Sequence, residues 1–216
     1  VTGQSVLHLD GGLLSLDRYR IEESRVAADV LALSAAERSG PPLDVGRLFP
    51  PPYAEQRGAA EVALSRALTV LTGGPGTGKT TTIARLLLLL IAQAQVSGEV
   101  LPRIALAAPT GRAAERMAES LRTAIESLRA MDGVDATLCD ALPTQASTLH
   151  RLLGTIPDSP RFRFDADNPL PFDIVVVDEA SMVDLPLMCK LVEAVPPGAR
   201  LVLLGDPDQL PSVEAG

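Results

Sequence analysis

Apolar residues along the chain gather in short, β-favouring runs at Leu68–Thr72, Ile104–Ala108, Ile174–Val177 and residues 199–204. Between these runs the apolar positions spread to helical spacing. In 112–129, Met117, Leu121, Ile125 and Leu128 share one face and charges occupy the other, which predicts an amphipathic helix. Residues 81–94 predict a more apolar helix, 54–68 a helix ahead of the first run, and a helix begun by Pro186 extends to Val195. Runs that do not alternate with polar residues suit strands covered on both faces, so the pattern predicts an α/β fold with a parallel sheet flanked by helices.

Upstream the pattern changes. Residues 6–10 and 13–19, joined at Asp10-Gly11-Gly12, read as a β-hairpin, and Val26, Val30 and Leu33 give 21–36 helical spacing. A hairpin and a helix bury little surface alone, so 1–42 is expected to be the C-terminal part of an N-terminal domain. Pro41-Pro42 precedes and Pro50-Pro51-Pro52 lies within 43–53, expected as a Pro-rich linker before a domain over 54–216. Residues 130–146 carry no periodicity and read as a surface loop. Segment 154–172, rich in Pro, Asp and Arg, reads as a small hairpin insertion in which Phe162 and Phe164 flank Arg163. Its aromatics and arginines suit either contact with nucleic acid or packing of the hairpin on itself.

Composition refines this picture. Hydrophobic residues make up 46% of the chain and Trp is absent, so the core is built from Leu, Val, Ala and Ile. Arg85 and Gln93 interrupt the longest apolar run, and the first residues lack a basic and apolar leader, so a soluble, cytoplasmic protein with no membrane partner is expected. The missing initiating Met and the abrupt end at Gly216 suggest a piece of a longer polypeptide. Cys139 and Cys189 read as reduced thiols, and with His8 and His150 they are too sparse for a metal cluster. The net charge of −8 hides a division: residues 67–130 hold seven basic against four acidic side chains, and 131–216 hold five against fourteen. A phosphate-binding groove is therefore compatible with the middle of the chain. Only two lysines stand beside 17 arginines, which singles out Lys79.

Lys79 lies in Gly73-Gly74-Pro75-Gly76-Thr77-Gly78-Lys79-Thr80-Thr81, between a predicted strand and a predicted helix. That is the P-loop template in its required context. Glycines let backbone N–H groups curl round phosphate oxygens, the helix N-terminus adds partial positive charge, Lys79 reaches the β- and γ-phosphates, and Thr80 is placed to ligate Mg2+. ATP with Mg2+ is the expected ligand. The Ile174–Val177 run ends in Asp178-Glu179, with Asp178 suited to the magnesium ion and Glu179 to polarising the attacking water. Pro109-Thr110-Gly111, at the end of another strand and the start of a helix, offers donors to a phosphodiester, although an ordinary strand-to-helix turn explains it equally when it stands alone. Gln209 sits at the tip of the last strand's loop, where it could contact the γ-phosphate.

In order and spacing, GGPGTGKT, APTGRAAERM, STLHRLLG, VVVDEASMVD and GDPDQLPSVEAG resemble the first motifs of superfamily 1 DNA helicases, and most closely the RecD family of exodeoxyribonuclease V α subunits. The resemblance implies a RecA-like first helicase lobe over 54–216, with a second lobe and its arginine finger absent from this sequence. It implies that Gln56 reads adenine, that Lys79, Thr80, Asp178 and Glu179 serve ATP and Mg2+, and that Gln209 couples the γ-phosphate to DNA. Pro109, Thr110, Gly111, Arg112, Thr148 and His150 are implied to lie along single-stranded DNA, with RecB-like and RecC-like subunits as partners. It likens the hairpin to a small wedge element. The implied activity is ATP-driven 5′-to-3′ translocation and unwinding in double-strand-break repair. Alternatives are a stand-alone helicase of the same kind, a catalytically silent nucleotide-binding and docking module, or a P-loop ATPase of another class, which leaves the Pro-Thr-Gly turn and the Gln209 loop unexplained.

Overall fold

The computed structural model describes residues 7–10, 13–74 and 76–206. Strands β1 (Leu7–Asp10) and β2 (Leu13–Leu16) pair antiparallel, and α1 (Asp17–Ala35) follows. Next come α2 (Val45–Leu48), α3 (Ala54–Ser65), β3 (Leu68–Thr72), α4 (Lys79–Ser97), β4 (Ile104–Ala108) and α5 (Gly111–Arg129). The chain then forms β5 (Ser147–Thr148), α6 (Leu149–Leu153), β6 (Ile174–Val177), α7 (Leu185–Ala194) and β7 (Arg200–Gly205). Strands β3 to β7 make one parallel sheet in the order β3-β7-β6-β4-β5. The expected α/β class and the four expected sheet strands are therefore present, and β5, only two residues long, is an addition.

The side-chain period of two explains how the sheet is covered. Ile174 and Val176 of β6 point into a core with Leu106, Val202 and Leu204, closed by Ile83, Leu86, Leu87 and Ile91 of α4 and by Met117, Leu121, Ile125 and Leu128 of α5. Val175 and Val177 point to the other face, where Ala107 and Leu201 meet Leu149 and Leu153 of α6 and Leu187 and Leu191 of α7. Helix α4 is long and apolar enough to cross a membrane by length and composition, but 61% of that window is buried within the protein. It is the helix covering the sheet.

Chain direction across the sheet reverses after β5. The path steps from β3 to β4 and outward to β5, then back to β6 and β7, with α4 and α5 on one face and α6 and α7 on the other. Parallel sheets with such a reversal bind ligands beyond the carboxyl ends of their strands.

Three segments differ from their sequence reading. Within 43–53, expected as a linker, Val45, Leu48 and Phe49 are buried in the core with α4, Phe49 at 1% exposure, and Pro51–Tyr53 forms a 3-10 turn. Too few residues lie between the prolines for a periodicity to show, so the burial left no pattern to read. Arg85, the polar residue breaking the apolar run of α4, is covered by this segment, with its guanidinium 4.5 Å from the Tyr53 ring and 5.5 Å from that of Phe49. Residues 130–146 hold buried Cys139 and Leu142, around a 3-10 turn at Leu138–Ala141. In 154–172 a single bridge joins Thr155 to Phe162, and Phe162 and Phe164 pack against the core beside α6 and α7, which favours the packing role for these aromatics.

The N-terminal piece is fastened to the sheet domain at its edge. Arg38 N–H donates to Ser65 O at 2.8 Å and Ala67 N–H to Ala36 O at 3.1 Å, so helix α3 ends where the chain turns extended to receive this pairing. A Phe49→Ala substitution is expected to lower stability by about 3–5 kcal/mol, the cost of emptying an aromatic site in a packed core. Denaturant unfolding checks this, and an unchanged midpoint would mark 43–53 as a dispensable tether.

Candidate nucleotide and nucleic-acid site

All five parallel strands end on one rim. Thr72 of β3 pairs with Gly205 of β7, Val177 of β6 with both Leu203 and Ala107, and Ala108 of β4 with Thr148 of β5. Gly73, Asp206, Asp178, Pro109 and Leu149 each follow directly from a strand end, so segments far apart in sequence meet along one line.

At the β3 end, Gly73 lies so close to Thr77 that an added Cβ would come within 2.8 Å of the Thr77 hydroxyl. Gly78 takes a φ of +81°, which L residues with side chains rarely adopt, and its carbonyl then receives the Thr82 N–H at 2.9 Å to start α4. Thr77 donates its hydroxyl to Gly74 O at 2.9 Å, closing the loop. The Lys79 ammonium folds into that loop, donating to the carbonyl of Gly73 and to that of Gly74 at 3.2 Å. A cation held over a ring of backbone amides at a helix N-terminus is complementary to a phosphate chain. Gly74, Gly76, Gly78, Lys79, Thr80 and Thr81 line a hollow of about 570 Å³ that reaches Glu119, Ser120 and Thr123 of α5. Pro75 lies outside the described residues.

Beside the loop, Gln56 and Ala59 of α3, with Leu71, Gly73 and Thr82, line a cleft of about 240 Å³ that Lys79 also reaches. Its position next to the phosphate loop, with an amide on one wall and apolar side chains on another, suits a purine. The structure thus brings Gln56 to the P-loop, a juxtaposition its surface-helix context did not disclose.

At the β6 end, the Asp178 N–H donates to Ala107 O at 2.9 Å, which continues the β6–β4 ladder one residue further. Its Oδ1 accepts the Glu179 N–H at 2.8 Å. Glu179 has a φ of 52°, left-handed for a residue with a long side chain, and its carboxylate is paired with Arg116 of α5. Sequence spacing could not reveal Arg116, because the pair spans 63 positions and depends on β4 lying beside β6. Asp206, at the β7 end, is also buried, at 5% exposure. Gln209 lies outside the described residues.

Toward the β4 and β5 ends, Thr110 caps α5 by accepting the Ala113 N–H at 3.2 Å, and Thr148 caps α6 by accepting the Arg151 N–H, also at 3.2 Å. Capping uses the hydroxyl oxygen as acceptor and leaves its hydrogen free to donate outward. Gly111 and Arg112 are exposed, Pro109 is half-buried, and His150 is exposed with its ring 5.8 Å from that of Phe162. Among the described residues no group of three His, Cys, Asp or Glu side chains converges to hold a metal ion.

Residues 56–215 match the family model described as an AAA domain. The RecBCD enzyme subunit RecD of Mycobacterium tuberculosis (strain CDC 1551 / Oshkosh) is 59% identical over 212 residues, 98% of this chain and 36% of that protein. The RecBCD enzyme subunit RecD of Haemophilus influenzae is 47% identical over 74% of this chain and 24% of its own length. The ATP-dependent RecD2 DNA helicase of Deinococcus radiodurans is 40% identical over 75% of this chain and 18% of its own length. The chain therefore spans about a third or less of the length of these relatives. By this match the chain belongs to the AAA domain family, and by these identities its relatives are RecD proteins.

Proposed function

We propose that the chain supplies the nucleotide-binding lobe of an ATP-driven DNA helicase motor moving 5′ to 3′ on single-stranded DNA, within a RecBCD-type complex that repairs double-strand breaks in the cytoplasm. The observation that carries this reading is the rim itself: a P-loop, an Asp-Glu pair and two capped turns stand at strand ends along one edge of one sheet.

In this reading Gln56 reads the adenine edge, the backbone from Gly73 to Gly78 holds the phosphates, and Lys79 leaves the Gly73 and Gly74 carbonyls for the β- and γ-phosphate oxygens. Thr80 and Asp178 hold Mg2+, which neutralises charge on those phosphates. Glu179 polarises the attacking water, and Gln209 reports loss of the γ-phosphate. Pro109, Thr110, Gly111, Arg112, Thr148 and His150 carry the strand, mostly through phosphates, so binding is sequence-tolerant and salt-sensitive. Residues 54–216 are the first RecA-like lobe, 1–42 belong with an N-terminal domain, and a second lobe closes the nucleotide cleft with an arginine finger. Such a finger contributes about 10³–10⁵ in rate where measured in GTPases, so this stretch alone turns over slowly.

RecB-like and RecC-like subunits are the proposed partners, favoured over a stand-alone motor because identity is 59% to a RecBCD subunit and 40% to the RecD2 helicase. Unwinding of tailed duplexes by the intact protein tests the polarity. Duplexes with a 5′ single-stranded tail are expected to be opened and those with only a 3′ tail left closed, and the opposite preference would overturn the assignment.

A further inference from the structure

We propose that Arg116 is a positioning residue that restrains Glu179 when no DNA is bound and releases it when a phosphodiester takes its guanidinium. The proposal rests on the helicase reading above and adds to it a route by which DNA controls hydrolysis.

Three observations carry it. Glu179 pairs with Arg116 through a carboxylate oxygen, an ion pair that crosses the rim between the β6 end and helix α5. Glu179 is well covered, its side chain 20% exposed, whereas Arg116 is 65% exposed, so the pair has one anchored and one solvent-facing partner. Arg116 also stands one helical turn after Arg112 on the exposed side of α5, the helix that opens at the Thr110-Gly111 turn.

The chemistry follows from these positions. A carboxylate polarises water through a free oxygen lone pair. An oxygen bound by a guanidinium has that lone pair engaged, so the paired Glu179 is not free to orient a water through it. A strand laid along Pro109 to Arg112 brings phosphate oxygens to the same face of α5, and guanidinium binds phosphate with the same two-pronged geometry it uses for carboxylate. Arg116 then exchanges one anion for another. Glu179, its backbone held between Asp178 and the 3-10 turn Ala180–Met182, then has both carboxylate oxygens free to orient water. The left-handed backbone at Glu179 is consistent with a side chain whose direction matters more than local comfort.

The experiment compares wild type, Arg116→Ala and Arg116→Lys in the intact protein, with and without oligo(dT). Arg116→Ala is expected to raise the DNA-free kcat for ATP by about fivefold, the upper end for a partly exposed ion pair, with little change in KM. The ratio of DNA-stimulated to DNA-free rate falls by the same factor. Oligo(dT) affinity, read by fluorescence anisotropy, is expected to weaken, with the salt slope reduced by about one counterion. Arg116→Lys, which keeps the charge without the fork, restores part of the restraint. A DNA-free rate in Arg116→Ala equal to or below that of wild type overturns the proposal while DNA still stimulates the wild type. A wild type that DNA does not stimulate overturns the helicase reading, and this proposal with it.

Discussion

Lys79→Ala is expected to lower ATP turnover by about 10²–10³-fold, the cost of removing one preorganised charge from a phosphate-transfer site. The magnitude reflects where the ammonium sits. It lies inside the loop on the Gly73 and Gly74 carbonyls, within a side-chain rotation of where that loop would hold phosphates. Alanine leaves the helix start intact, because Gly78 and the Thr82 N–H, rather than Lys79, set the first turn of α4. The fold therefore loses two hydrogen bonds of a half-buried side chain, about 1–2 kcal/mol in all. Steady-state hydrolysis and thermal unfolding measured on one preparation check both parts. Unchanged turnover would place the phosphates elsewhere.

Glu179→Gln should separate binding from chemistry. Loss of a general base lowers kcat by about 10²–10⁴-fold. Glutamine has the same reach and the same difficulty with a φ of 52°, so the backbone between Asp178 and Ala180 has no reason to change. The Asp178 carboxylate and the P-loop are untouched, and the affinity for a slowly hydrolysed ATP analogue should stay within about threefold of wild type, a difference of less than 1 kcal/mol. The amide also ends the ion pair with Arg116, so the variant cannot be stimulated by DNA through that contact. A fluorescent analogue titrated into wild type and variant, followed by single-turnover hydrolysis, distinguishes the outcomes. Loss of nucleotide affinity equal to the loss of rate would assign Glu179 to binding.

The parts of this protein legible in its sequence are those governed by short-range rules. Ile174–Val177 could be read because β-branched residues buried on both faces leave an unbroken run, and Leu68–Thr72, an edge strand with Val70 and Thr72 exposed, from its short β-favouring run. Helix α5 could be read from its one apolar stripe, and the P-loop from glycines whose spacing no other purpose requires. What remained hidden depends on tertiary neighbours. Phe49 is buried because α4 and the Arg85 side chain happen to lie beneath it, and nothing in a stretch broken by prolines announces that. Strand β5 has two residues, too few for any period. The capping by Thr110 and Thr148 could not be told in the sequence from a contact with DNA, because a hydroxyl at a helix start suits either. Arg116 became visible only when the sheet order put β4 next to β6. Gln56 is the intermediate case: only the family resemblance pointed to it in the sequence, and the cleft that α3 shares with the P-loop supplies the geometry.

The central claim is that one rim joins a nucleotide to a DNA strand. ATP hydrolysis by the intact protein, measured with and without single-stranded DNA, tests it most directly. The rim predicts turnover that rises severalfold or more on adding DNA and falls by about 10²–10³-fold in Lys79→Ala under both conditions. Turnover indifferent to DNA, in a protein that still binds ATP, would contradict it.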